Sequence, residues 1–279
     1  MKEAFLSTLT ASGVKQLAAG PPICALLGSG ISLWDPTNLP TGEQLTNEIF
    51  DLLFRGEAGE IDDPLGEKKL KDYFQEVPFE NIMERCPETD TLRNLVKELF
   101  LATRPNPVHE VFAESVLNGS LESIITTNYD CCLEMALAEK LRCAVGPVMG
   151  PICRIVKPEE VPADPKRVYF KIHGSSDDLA GETLVFRLQQ EAALPPWKRS
   201  LLRSLLEGRT LLVIGYSGRD FEICPEIPLA KTHQVIWNSR PGKDLTAGAR
   251  RVMDSVPGDR KSTRLNSSHI QKSRMPSSA

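Results

Sequence analysis

The sequence has no Cys-x-x-Cys pair, no basic-apolar-small order at its N-terminus and no apolar run near the roughly 18 residues that cross a bilayer. The missing cysteine pairs argue against a paired-knuckle zinc site. The cysteine count of seven, an odd number, argues against a disulfide framework. Reduced, mostly buried thiols are the expected state, and the adjacent Cys131 and Cys132 do not form a metal motif. The other two absences point away from secreted and membrane-spanning classes, so the cytoplasm is the expected compartment. Aromatic residues are also scarce, at 6%.

Charge is near balance, with 33 Lys and Arg against 37 Asp and Glu, but it is unevenly spread. From Asp259 onward the chain turns basic and serine-rich. Asp259–His269 and Ser273–Ala279 resemble a translated short-read sequencing adapter, with Ile270–Lys272 where an index would lie. On that reading residues 259–279 are a non-native, disordered tail, residues 1–258 are the domain, and the native chain is expected to continue past Gly258. A basic disordered tail that binds nucleic acid is the alternative. Without the tail's five basic residues and one acidic residue the net charge is −8, which argues against a direct nucleic-acid binder.

Cys24–Ser32, reading Cys-Ala-Leu-Leu-Gly-Ser-Gly-Ile-Ser, is the most informative stretch. A short apolar run ends abruptly at Gly28 and Gly30, as a buried parallel strand does when it meets a tight turn. Such a turn is either an ordinary strand-to-loop connection or a cradle in which backbone N–H groups approach a phosphate. A dinucleotide dehydrogenase would continue to a third glycine and straight into a helix. Here Leu33 takes the third position, and Trp34-Asp35-Pro36 interrupts any helix.

Residues 2–18 have the spacing of a packing helix. Thr41 and Gln44 have the spacing of a capping box, and Leu45, Ile49, Leu52 and Leu53 form an apolar face. Helical periodicity continues through residues 66–102, and Asn106-Pro107 reads as an N-cap and first turn. Together these predict a helical insertion over about 41–118. His109, on its last helix, reads as a packing or surface residue. Apolar strands follow at Ser123–Asp130, Arg167–Gly174, Thr210–Ser217 and His233–Asn238. Residues 143–165 read as a loop region over the sheet with room for a short strand, and Trp197–Glu207 as a helix. Strands alternating with helices predict an α/β fold, a Rossmann-like doubly wound parallel sheet in the order 3-2-1-4-5-6.

The strand ends then present Gly28 to Ser32, Thr127-Asn128-Tyr129-Asp130, His173-Gly174, Gly215-Tyr216-Ser217 and Asn238. In this order they resemble the sirtuin family, in particular its branch of defence-associated NAD hydrolases, over about residues 20–240. Leu39-Pro40-Thr41 is similar to that branch's Leu-Pro-Thr, and Gly215-Tyr216-Ser217-Gly218-Arg219-Asp220 to its Gly-Tyr-Ser-x-x-Asp. The resemblance implies hydrolysis of NAD, bound as substrate, to nicotinamide and ADP-ribose in antiviral abortive-infection defence. It implies that Gly28, Ser29, Gly30 and Ser32 hold the pyrophosphate and adjoining ribose, that Asn128 lies beside the nicotinamide ribose, and that Asp130 helps bind the carboxamide. His173 would be the base, Gly215 and Ser217 would contact phosphate or adenosine, and Asn238 the adenosine ribose. Asp130 also suits a helix N-cap, and Asp220 reads as structural.

The chain departs from protein-deacylating sirtuins in lacking their four zinc-binding cysteines and their Gly-Ile-Pro-Asp-Phe-Arg, so no zinc is expected. A non-catalytic module that senses NAD or ADP-ribose is the alternative function, and a protein deacylase the third. Because an unrestrained NAD hydrolase would harm its own cell, regulation by self-association or by a sensor domain or partner beyond Gly258 is expected.

Overall fold

The computed structural model describes residues 19–41, 44–45, 94, 97–101, 103–165, 167–178, 183–185, 193–220, 222–239, 244–256 and 261–263. The expected helix over residues 2–18 and most of the insertion over 41–118 lie outside these residues.

The apolar runs form one sheet, in the order β3-β4-β5-β2-β1-β6-β7-β8. Its strands are β1 (Ile23–Leu27), β2 (Ser123–Thr126), β3 (Val148–Met149), β4 (Ile152–Ile155), β5 (Val168–Lys171), β6 (Thr210–Ile214), β7 (Gln234–Asn238) and β8 (Lys261–Thr263). All neighbours pair in parallel except the short β3–β4 hairpin. The five strands expected from the sequence stand as β5-β2-β1-β6-β7, the 3-2-1-4-5 portion of a doubly wound sheet.

Two features go beyond the expectation. The loop region over 143–165 contains the short strand it had room for, and that strand extends the sheet, because Ile152–Ile155 pairs in parallel outside β5. Its four residues, Ile-Cys-Arg-Ile, include Arg154 and lie among prolines and glycines, so they carry little apolar pattern. At the opposite edge Lys261–Thr263 pairs with β7, within the tail expected to be disordered.

Both faces of the sheet are covered, which explains why its strands are continuously apolar rather than alternating. Successive side chains point to opposite faces. Cys24 and Leu26 of β1 join Ile125, Phe170, Leu211 and Val213 against Leu201, Leu202, Leu205 and Leu206 of α3 (Pro196–Leu206) and Val252 of α5 (Ala247–Ser255). Ala25 and Leu27 join Ile124 and Tyr169 against α1 (Pro107–Leu117) and α2 (Cys132–Leu141) through Phe112, Val116, Leu133 and Leu137. The short α4 (Glu226–Leu229) packs beside α3. No helix among the described residues is long and apolar enough to cross a membrane.

The strand order reverses at β1, which has β2 on one side and β6 on the other. Open α/β sheets bind ligands in the crevice at the carboxyl ends of strands flanking such a switch point. The polar residues singled out in the sequence follow or end β1, β2, β5, β6 and β7 at that same edge.

Candidate functional site

Gly28 follows β1 in extended backbone, and Ser29–Ser32 make a single 3-10 turn. This turn is stitched to the end of β6. Gly28 N–H donates to the Ile214 carbonyl at 3.0 Å, and Gly30 N–H to the Gly215 carbonyl at 2.9 Å. A Cβ on Gly28 would sit 2.6 Å from the Gly215 oxygen, and one on Gly30 would sit 2.7 Å from the Gly215 Cα. Gly215 has φ +69° and would bring its own Cβ to 2.7 Å from the Ile31 nitrogen. Two strand-end loops in backbone contact thus require all three glycines, a reason that comes from the close packing of β1 and β6 and does not depend on a phosphate.

Ser32 is the last residue of the turn and the centre of a buried polar cluster. Its hydroxyl donates to Asp130 Oδ2 at 2.9 Å and accepts from Asn128 Nδ2 at 3.0 Å. His109 Nε2 lies 3.2 Å from the same oxygen. Because His109 Nδ1 accepts the backbone N–H of Asn106, the proton of the neutral ring is on Nε2, which donates to Ser32. Burial lowers the His109 pKa and outweighs the opposing pull of Asp130, which keeps the ring neutral. Ser32 therefore uses its one donor and both acceptor sites.

Asn128 Nδ2 also donates to Asp130 Oδ2, at 3.2 Å. That places the amide nitrogen against the carboxylate and turns Oδ1 away from it. Asn128 Oδ1 is buried and has no hydrogen-bond partner among the described residues. Asp130 Oδ1 accepts the N–H of Cys132, the first residue of α2, but the N-cap position itself falls on Cys131, one residue beyond the expected Asp130. With three hydrogen bonds accepted, the carboxylate keeps one of its roughly four lone-pair sites.

Asn106 joins α1 to this cluster. Its Oδ1 caps the helix by accepting from Val108 and His109 N–H, while Nδ2 donates to the Ile31 and Trp34 carbonyls of the glycine turn. His109, Asp130 and Cys132 offer potential metal-ligand atoms within 4.8 Å of one another. As arranged, the His109 nitrogens and the Asp130 oxygens are engaged in hydrogen bonds. Burial pushes the Cys132 thiol up to about 12, which keeps it protonated. A metal bound here would displace these hydrogen bonds and the thiol proton.

His173 stands apart from that cluster, just beyond β5. Gly174 follows with φ +91°, and a Cβ there would lie 2.1 Å from the Thr183 oxygen. The His173 carbonyl accepts the N–H of Val185 at 3.0 Å, and Nε2 is 2.9 Å from Glu222 Oε1. No hydrogen bond among the described residues joins His173 to Asn128. Ser217 is exposed, and its carbonyl accepts from Thr246 Oγ1. Asn238 ends β7 half-buried. Neither is hydrogen-bonded to the Ser32 cluster among the described residues.

Beneath the Asn128–Asp130 segment is an ionic core. Lys171, fully buried at the end of β5, donates to the Tyr129 and Asp130 carbonyls and pairs with Glu134 at 2.9 Å. Glu134, also fully buried, accepts from Arg154 Nε and the Tyr169 hydroxyl, each at 3.1 Å. Arg154 also reaches Ser175 and Asp177. Burial is the largest single influence on Lys171 and Arg154 and opposes their charges. The surrounding acidic groups together outweigh it, Glu134 foremost, joined by Asp130 at Lys171 and by Asp177 at Arg154, and both pKa values are raised.

Comparison with known proteins bears on this segment directly. Residues 122–226 match the SIR2-like domain family. The SIR2-like segment holds Asn128, Asp130, His173, Gly215, Ser217 and Glu222, whereas the Gly28–Ser32 turn and Asn238 lie outside it. The full chain has no significant match among curated proteins. Among solved structures it is similar to a Sir2 homologue in complex with NAD, at 16% identity over 95% of this chain and 92% of that one with a TM-score of 0.49. It is also similar to a Sir2 enzyme from a study of Sir2 mechanism and regulation, at 14% identity over 81% and 84% with a TM-score of 0.46. A third is a Sir2 bound to acetylated peptide, at 15% identity over 88% and 98% with a TM-score of 0.41.

Sequence reasoning read His109 as a packing or surface residue and did not single out Glu222 or the Lys171–Glu134–Arg154 core. His109 had a legible signal, because it is the third helical residue after the Asn106 cap, the position that reaches back to the cap's N–H. Glu222 and Lys171 had none, since their partners are 49 and 37 residues away in the chain.

Proposed function

We propose that the chain is an NAD+ hydrolase that cleaves the bond between nicotinamide and ribose, giving nicotinamide and ADP-ribose. The observation that carries this reading is Asn128. Both of its amide hydrogens face Ser32 and Asp130, leaving a buried Oδ1 at the carboxyl end of β2 with no partner among the described residues. A buried acceptor without a donor is costly unless a ligand or water supplies one, and a ribose hydroxyl or the attacking water suits it. The match of residues 122–226 to the SIR2-like domain supports NAD as the molecule concerned.

Cleaving this bond develops positive charge at the ribose while a good leaving group departs, so orientation matters more than acid catalysis. In the proposed complex Asn128 orients the water or ribose hydroxyl without titrating, and His173 takes the proton released as water adds to the ribose carbon. Asp130 offers its remaining lone pair to the carboxamide N–H. Ser32 holds Asn128 and Asp130 in register, and Gly28, Ser29 and Gly30 border the pyrophosphate. Gly215 and Ser217 contact phosphate or adenosine, and Asn238 the adenosine ribose. NAD depletion in antiviral defence is the biological setting this proposal favours, and no zinc is part of it.

One observation favours a second reading, NAD-dependent deacylation. A cleft of about 500 Å³ lined by Val156, Leu184, Val185, Leu194 and Trp197 borders Glu222, the partner of His173, and its apolar wall suits an acyl chain. Nicotinamide release is therefore measured with NAD alone and with NAD plus acyl-lysine peptide. Release with NAD alone supports the hydrolase. Strict dependence on the peptide would make the chain a deacylase, and NAD binding without release under either condition would make it a sensing module.

A further inference from the structure

We infer that Glu222 sets the tautomer of His173, so that Nδ1 is the nitrogen available to take a proton. The geometry stands by itself, and the catalytic consequence rests on the hydrolase reading above. Glu222 Oε1 is 2.9 Å from His173 Nε2, with the two side chains 1% and 8% exposed. An ionised carboxylate is an acceptor only, so this bond requires the proton on Nε2. A neutral imidazole has one N–H. Nδ1 then carries the lone pair, and no described residue is hydrogen-bonded to it.

The placement of Glu222 follows from the end of β6. Asp220 binds the Tyr216 hydroxyl and accepts the Ile223 N–H at 3.1 Å, closing a turn that carries Glu222 to His173. This gives Asp220 the structural role expected of it. The second carboxylate oxygen, Oε2, is buried without a partner among the described residues. The nearby ammonium of Lys198 donates to the Ile172 carbonyl. Its pKa is pushed down to about 8 by burial, with Glu222 pulling the other way. When His173 takes a proton at Nδ1, the new cation forms against a carboxylate already in place, a charge-assisted bond stronger than the one it replaces. Glu222 is thus a positioning residue that acts through His173.

The test uses the full chain labelled with 15N-histidine. Long-range proton–nitrogen correlation reads the protonated ring nitrogen of each of the four histidines, and His173 is assigned by its loss in His173→Gln. We expect Nε2 protonated and Nδ1 bare. Glu222→Gln, whose amide can donate as well as accept, should lose that preference. With NAD, kcat of Glu222→Gln should fall on the order of 10²-fold with KM little changed, and Glu222→Asp should recover part of the loss. A wild-type ring protonated at Nδ1, or a tautomer unmoved by Glu222→Gln, overturns the inference. If Glu222→Gln does not fold, the wild-type spectrum decides. Wild-type protein with the expected tautomer but no nicotinamide release would overturn the hydrolase reading and leave the tautomer assignment standing.

Discussion

Glu134 is a strong point of leverage among the described residues outside the proposed catalytic groups. It is fully buried and meets Lys171 at 2.9 Å and both Arg154 and the Tyr169 hydroxyl at 3.1 Å. Glu134→Gln preserves volume and one acceptor but removes the charge. Lys171, itself fully buried, then keeps the Tyr129 and Asp130 carbonyls and a neutral amide oxygen, and burial, the largest influence on its pKa, pulls it down without the Glu134 charge to oppose it. Breaking a buried pair by removing one partner costs about 3–5 kcal/mol, because the remaining charge is uncompensated. Against the ordinary stability of about 5–15 kcal/mol, that is a large fraction. Urea unfolding followed by circular dichroism should show the loss. Lys171→Met should partly rescue Glu134→Gln, with a coupling of about 1–3 kcal/mol, since the double variant strands no ammonium. A Glu134→Gln protein within about 1 kcal/mol of wild type, or one that Lys171→Met makes additively worse, would refute the electrostatic reasoning.

Gly30→Ala forces a methyl group to 2.7 Å from the Gly215 Cα and should cost about 1–3 kcal/mol in ligand-free protein; an unchanged melting temperature would count against the loop packing. Asn106→Ala should lose about 2 kcal/mol by uncapping α1 and freeing the Ile31 and Trp34 carbonyls. Asn106→Asp keeps the cap but not the Nδ2 donation and should recover only part of that loss in thermal unfolding. Lys198 predicts a pH dependence. The unfolded chain holds this proton up to its ordinary pKa of 10.5, the folded protein only to about 8, so between them the unfolded state binds more protons and stability rises with pH. The contribution is at most about 3 kcal/mol. It should appear as a growing urea-midpoint advantage of wild type over Lys198→Met between those pH values, and a flat difference would contradict the burial of this ammonium.

The five main strands were legible because each is a short, continuously apolar run flanked by breakers, the pattern a sheet covered on both faces imposes. β4 was legible only as room for a short strand without bounds, since four residues among prolines and glycines carry too little pattern to place one. In the candidate site, Asn128, Asp130 and His173 stood out because polar residues at the carboxyl ends of parallel strands lie where open α/β sheets bind ligands. Their supports did not, because Glu134, Arg154, Lys171 and Glu222 read as ordinary charged residues until the fold buries and pairs them. Gly28, Gly30 and Gly215 were legible as special positions, but the reason for them, backbone contact between two loops, appears only when β1 and β6 lie side by side.

The central claim is that Asn128 and its unpartnered oxygen serve the cleavage of NAD. The most direct measurement incubates wild type and Asn128→Ala with NAD and quantifies nicotinamide and ADP-ribose together by chromatography. The account predicts equimolar products from wild type and a loss on the order of 10²-fold in Asn128→Ala, the range expected for a group that positions the reacting atoms. Undiminished turnover in Asn128→Ala would contradict it.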